Sequence, residues 1–83
     1  MNIFIANLSR EVNEEALSAL FSEFGQVNSA RIVKDKYTGD SKGFGFVEMP
    51  HDQHAQTAIT SLSNQAFFGK NLVVSKARPK TTV

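Results

Sequence analysis

The stretch Lys42-Gly43-Phe44-Gly45-Phe46-Val47-Glu48-Met49 constrains this chain more than any other. Successive side chains of an extended strand alternate between two faces. Gly43, Gly45, Val47 and Met49 therefore share one face, and Lys42, Phe44, Phe46 and Glu48 share the other. Size alone would bury the phenylalanines. Yet their face begins with a lysine and ends with a glutamate, and unpaired charges are rarely placed in a core. Val47 and Met49 are the residues that want burial. The glycines beside them lack side chains, which leaves room for a bulky neighbour, expected to be a helix. The strand thus turns two aromatic rings and a lysine to solvent. Flat nucleic-acid bases are the obvious ligands for such a surface.

The segment Asn2-Ile3-Phe4-Ile5-Ala6-Asn7-Leu8 repeats the oddity. Its β-branched Ile3 and Ile5 share the face that suits a core. Phe4 falls on the opposite face with Asn2 and Ala6. A strand buried on both sides would explain one such ring, but two strands with the same displaced aromatics favour an open aromatic face.

Two helices separate these and the remaining strands. Asn13 reads as an N-cap, with Glu14 and Glu15 at the positive end of the helix dipole. Val12 and Leu17 are spaced for a hydrophobic staple. Leu17, Leu20, Phe21 and Phe24 form an apolar stripe, and Gly25 suits a left-handed C-terminal cap. Val27–Lys34 then reads as a strand with Ala30 and Ile32 inward, and Ser29, Arg31 and Val33 outward. The polar segment 35–41, with a turn at Gly39, joins it to the glycine-rich strand as an antiparallel partner. Its tip is expected to move, and its Tyr37 either stacks on a ligand or packs on the hairpin. After Pro50, Asp52 reads as the N-cap of a second helix whose Ala55, Ala58, Ile59 and Leu62 face a sheet. His51 and His54 lack the partners that would complete a metal site. Residues 66–70 suit a short strand and turn with one phenylalanine capping the core. Asn71–Lys76 is the last strand, with Leu72 and Val74 inward and Val73 and Ser75 outward.

The chain of 83 residues suffices for one small domain. It has no cysteine, which excludes disulfides and thiolate metal sites. No apolar run approaches membrane-spanning length, and Met1 leads directly into a strand pattern, so the expected address is cytoplasmic. The net charge of +1 hides an asymmetry. Residues 1–30 hold Arg10 against Glu11, Glu14, Glu15 and Glu23, a balance of −3. Residues 31–83 hold eight cations against Asp35, Asp40, Glu48 and Asp52, a balance of +4. One surface is thereby suited to an anionic partner, although solvated charge explains the same count.

Strand, helix, strand, strand, helix, strand is the ferredoxin-like βαββαβ arrangement, an α+β fold. Right-handed crossovers place both helices on one face of a four-stranded antiparallel sheet and leave the other face open. If the first and third strands are neighbours, Phe4, Phe44 and Phe46 cluster in the middle of that open face.

Ile3-Phe4-Ile5-Ala6-Asn7-Leu8 and Lys42–Met49 resemble the hexapeptide and octapeptide signatures of the RNA recognition motif, or RRM, family. Phe24-Gly25, Asp35, Gly39, Ala55, Ala58, Gly69, Leu72 and Val74 also fit, and the chain is similar to small single-RRM proteins of bacterial type. The resemblance implies an RRM domain over residues 1–78 and a short basic, flexible tail over 79–83. It implies that Phe4 and Phe44 stack on two bases, that Phe46 inserts against sugars, and that Lys42 meets a phosphate. Asn7 would brace a loop. Lys76, Ala77 and Arg78 would cross the sheet edge and meet bases through their backbone. Asn2, Arg31, Asn71 and Ser75 are the polar neighbours expected to read base edges. Met49 departs from the aromatic often found at its position, and Gly-rich or Arg-rich extensions are absent from this sequence.

The expected partner is single-stranded RNA, with single-stranded DNA as an in-vitro substitute, bound by a monomer without cofactor or metal. The expected setting is a ribonucleoprotein in post-transcriptional regulation. A protein-interaction module using the helix face, with Glu14, Glu15 and Glu23, is the alternative. An enzyme on the same topology is disfavoured, because Asn7-Leu8-Ser9 before Arg10 is no phosphate cradle and no nucleophile–base pair stands out. The role of Glu48 is left open between closing the wet face and repelling phosphate.

Overall fold

The alternation in Asn2–Ala6 makes β1, with Ile3 and Ile5 fully buried and Asn2, Phe4 and Ala6 more exposed. The computed structural model describes residues 1–39 and 41–77, with the backbone alone at Ser41 and Lys42. Helix α1 spans Glu14–Ser22. Asn13 caps it, its side-chain oxygen accepting the Ala16 N–H at 2.7 Å, and the flanking Val12 and Leu17 are both buried. Strand β2 is Ser29–Lys34, β3 is Ser41–Glu48, and helix α2 is Asp52–Leu62. The last part of the chain forms β4 (Ala66–Phe67), β5 (Lys70–Asn71) and β6 (Val73–Lys76).

The main sheet has the order β2-β3-β1-β6, and its paired strands are antiparallel. Helix α1 lies against β2 and β3, and α2 against β1 and β6. Between the layers sit Ile3, Ile5, Leu17, Phe21, Ile32, Val47, Met49, Ala55, Ala58, Leu72 and Val74. The ferredoxin-like α+β arrangement is therefore present, with β1 and β3 as the central pair.

Four local expectations change. The last strand is split, and Ala66–Asn71 forms a separate hairpin. Buried Leu72 causes the break: its N–H donates to the Gln65 carbonyl and its own carbonyl accepts from Asn64 N–H, each at 2.9 Å. Those groups are thus turned toward the segment after α2. Asp52 is the first helical residue of α2, and His51 occupies the cap position without a side-chain hydrogen bond. Gly25 lies one residue beyond the expected cap, because Phe24 N–H bonds to the Phe21 carbonyl and tightens the last turn. A Cβ on Gly25 would overlap the His54 ring.

The glycines of β3 are the fourth change, since neither makes way for a helix. Gly43 has φ +86° at a bulge where the β2–β3 register shifts, and its carbonyl accepts the Leu8 N–H at 2.8 Å. At Gly45 the neighbour is the backbone of β2. A Cβ there would collide with the Arg31 carbonyl oxygen and stand 3.3 Å from the Ile32 Cα.

Candidate nucleic-acid interface

The open face is built in cross-strand rows, because directly opposed residues of antiparallel strands point the same way. Arg31, Phe46, Phe4 and Ser75 make one row across β2, β3, β1 and β6. Ser29, Glu48 and Asn2 make the next, and the Ala77 N–H extends it by donating to the Asn2 carbonyl at 2.8 Å. Phe44 pairs with Ala6 and Ala6 with Val73 on the other side of the aromatic row.

The three rings meet. Phe4 lies 5.8 Å from Phe44 and 5.5 Å from Phe46 between ring centres, and Phe44 and Phe46 stand edge to face at 6.5 Å. These separations fall in the range of favourable tilted aromatic pairs. The rings therefore orient one another while remaining accessible. Phe46 is the most exposed, at 39 %. Such a platform presents quadrupolar faces to any flat ring laid on it, and Arg31 beside Phe46 adds a cation.

The polar residues divide. Asn2, Arg31 and Ser75 are exposed at open-face positions of the sheet. Asn71 is not in the main sheet but in the β4–β5 hairpin, where its carbonyl accepts the Asn7 side-chain N–H at 2.6 Å. That bond ties the end of β1 to the hairpin, the bracing expected of Asn7. Lys76 is paired with Ile3, so its register position belongs to the helix side, and Ala77 returns to the aromatic side. The Lys42 side chain, Arg78 and the segment 79–83 lie outside the described residues. Tyr37 is 95 % exposed, which excludes packing on the hairpin.

The RNA recognition motif family model matches residues 3–73. The chain belongs to the RNA recognition motif family. It is 42 % identical over 80 residues to RbpB of Nostoc sp., named as a candidate RNA-binding protein, covering 96 % of this chain and 78 % of that one. It is also 42 % identical over 78 residues to the Arabidopsis thaliana chloroplastic RNA-binding protein CP29B, covering 94 % of this chain and 27 % of the relative. The crystal structure of RNA binding protein PG1 superposes with a TM-score of 0.91 at 46 % identity, covering 96 % of this chain and 99 % of the other. A Sex-lethal protein/RNA complex superposes with a TM-score of 0.90 at 35 % identity, covering 96 % and 48 % respectively.

Beside the aromatic row, this RRM has a hollow that parity alone did not reveal. It is lined by Asn2, Ser29, Arg31, Phe46, Val47, Glu48 and Ala77. The alternation of β2 and β3 had placed Ser29 and Glu48 on the outer face. Only the register brings them opposite each other and next to Asn2. The helix side carries less chemistry: His51 and His54 are exposed with rings 5.1 Å apart, and no group of three metal-ligating side chains occurs among the described residues.

Proposed function

We propose that the open sheet face binds single-stranded RNA by stacking bases on its aromatic cluster. The contact of Phe4, Phe44 and Phe46 on the solvent side of the two central strands carries this reading. A folded domain gains little by leaving three touching rings accessible unless they meet a ligand. An unpaired base offers a π-face, and stacking contributes on the order of 1–3 kcal/mol per base. The surrounding rows supply hydrogen-bonding groups for base edges, with Ala77 running beside Asn2 to supply backbone groups at the sheet end. A phosphate contact from Lys42 adds a salt-dependent component.

Exposure favours one exchange of roles among the rings. Phe46 presents the widest accessible face and has Arg31 beside it. It therefore takes a base together with Phe4, and half-buried Phe44 meets the sugars between them. The protein acts by binding and not by catalysis, as a cytoplasmic monomer in post-transcriptional regulation, with single-stranded DNA as an in-vitro substitute. No helix among the described residues is long and apolar enough to cross a membrane.

Backbone NMR shifts followed during titration with short RNA oligomers test this assignment. Movement at Asn2–Ala6, Phe44–Glu48 and Ser75–Ala77 is expected. Shifts confined to α1 and α2, with the sheet unmoved, would refute it and favour a helix-face protein partner.

A further inference from the structure

The hollow beside Phe46 holds two opposite charges that the stacking platform does not require. Its volume is about 380 Å³, and Arg31 and Glu48 both line it. Both residues are exposed, and among the described residues neither side chain makes a hydrogen bond or ion pair. A carboxylate on a face that meets phosphates weakens binding through repulsion unless it gains something from a base.

The register sets where the two groups stand relative to a base resting on Phe46. Arg31 is directly opposite Phe46 on β2, roughly 5 Å away across the strands. Glu48 is two residues along β3, roughly 7 Å away in the strand direction. The base would have a guanidinium along one edge and a carboxylate along an adjoining edge. A carboxylate only accepts hydrogen bonds, through two oxygens, and a guanidinium only donates. Guanine alone among the four bases carries two adjacent N–H donors, N1–H and the N2 amine, on its Watson–Crick edge. Its adjoining edge carries the acceptors O6 and N7, which match arginine. Uracil offers a single donor, N3–H, flanked by two carbonyl oxygens that would repel the second carboxylate oxygen of Glu48. Adenine and cytosine each offer one amine beside an unprotonated ring nitrogen. Asn2 and Ser29, which flank Glu48 across the row, can orient its carboxylate.

We propose that this hollow is a guanine-selective subsite, with Glu48 accepting from N1–H and N2–H and Arg31 donating to O6 and N7. The proposal rests on the open face being an RNA platform. It makes Glu48 a specificity-determining residue, not a mere boundary of the wet face.

Fluorescence anisotropy with uridine heptamers that carry guanine, inosine, adenine or cytosine at the centre tests the subsite. The guanine oligomer is expected to bind on the order of 10- to 100-fold more tightly than the adenine and all-uridine oligomers. Inosine, which lacks the N2 amine, should fall between. In Glu48→Gln the ratio of guanine to uridine affinity should collapse toward one, because the amide can present only one acceptor. Equal binding of all five oligomers, a preference for any base other than guanine, or guanine selectivity retained in Glu48→Gln would each overturn the subsite while leaving the platform standing. Failure of every oligomer to bind would overturn the platform, and the subsite with it.

Discussion

Replacing Gly45 with alanine separates two explanations for a small residue between two rings of the open face. In an ordinary strand the change would be favourable by roughly 0.5–1 kcal/mol, because alanine loses less backbone entropy on folding. Gly45 is instead buried against β2, where an added Cβ would strike the Arg31 carbonyl oxygen and stand 3.3 Å from both the Arg31 carbonyl carbon and the Ile32 Cα. All three obstacles are backbone atoms, so no side-chain rotation relieves the overlap. The strands must separate, which strains the ladder at Arg31–Phe46 and Ile32–Gly45. Overpacking costs about 1–3 kcal/mol and a weakened ladder hydrogen bond about 1 kcal/mol more. Offsetting the entropy gain leaves a net loss of roughly 1–3 kcal/mol. Urea unfolding should show it as a lower midpoint at unchanged slope, and the melting temperature should fall by at least about 4 °C. Gly39→Ala is the control: nothing lies within 4 Å, but φ is +77°, so its cost is the left-handed backbone penalty of about 1–2 kcal/mol without disturbance of the β2–β3 pair. A Gly45→Ala domain as stable as the parent, with unmoved amide shifts at Arg31 and Ile32, would refute the close approach of these strands.

Further outcomes follow from other contacts. Phe46→Ala should weaken RNA binding about 5- to 150-fold while lowering stability by less than about 1.5 kcal/mol, whereas Phe21→Ala, fully buried beneath the sheet, should cost about 3–5 kcal/mol; anisotropy and urea titration of both variants check the contrast. Asn13→Ala removes the acceptor for Ala16 N–H and should cost about 1 kcal/mol in thermal denaturation. Asn7→Gly keeps access to φ +60° but loses the bond to the Asn71 carbonyl. Faster amide exchange in the β4–β5 hairpin should follow, with little change in the central sheet. Tyr37→Ala should leave the unfolding free energy from urea titration within about 0.5 kcal/mol of the parent.

Side-chain alternation made much of the interface legible in advance. Lys42 and Glu48 bracket Phe44 and Phe46, and that bracketing identified the wet face because a charge is costly to bury. The same logic exposed Phe4 beside Asn2. Distances between strands were not legible, because they depend on register. Ser29 and Asn2 are 27 residues apart in the chain, yet they flank Glu48 from opposite sides. The backbone packed on Gly45 was hidden for the same reason, since an absent side chain signals closeness but not what comes close. At residues 71–76 a continuous alternating pattern concealed a break, because Leu72 keeps its inward parity while its hydrogen bonds turn to Asn64 and Gln65. Phe68 gave no warning of its φ of +54°. With Gly69 at +81° it completes a two-residue turn in which asparagine would be the usual first residue.

One contact in the helix layer bears on whether a foreign strand can extend the sheet. Strand β2 forms an outer margin of the sheet, and a carboxylate oxygen of Glu14 accepts the Ile32 N–H at 3.2 Å. That amide would otherwise offer a docking point for a foreign strand. A neighbouring copy must displace Glu14 before it can extend the sheet at this point. Extension of the sheet from copy to copy is thereby hindered at this margin, whatever brings the copies together.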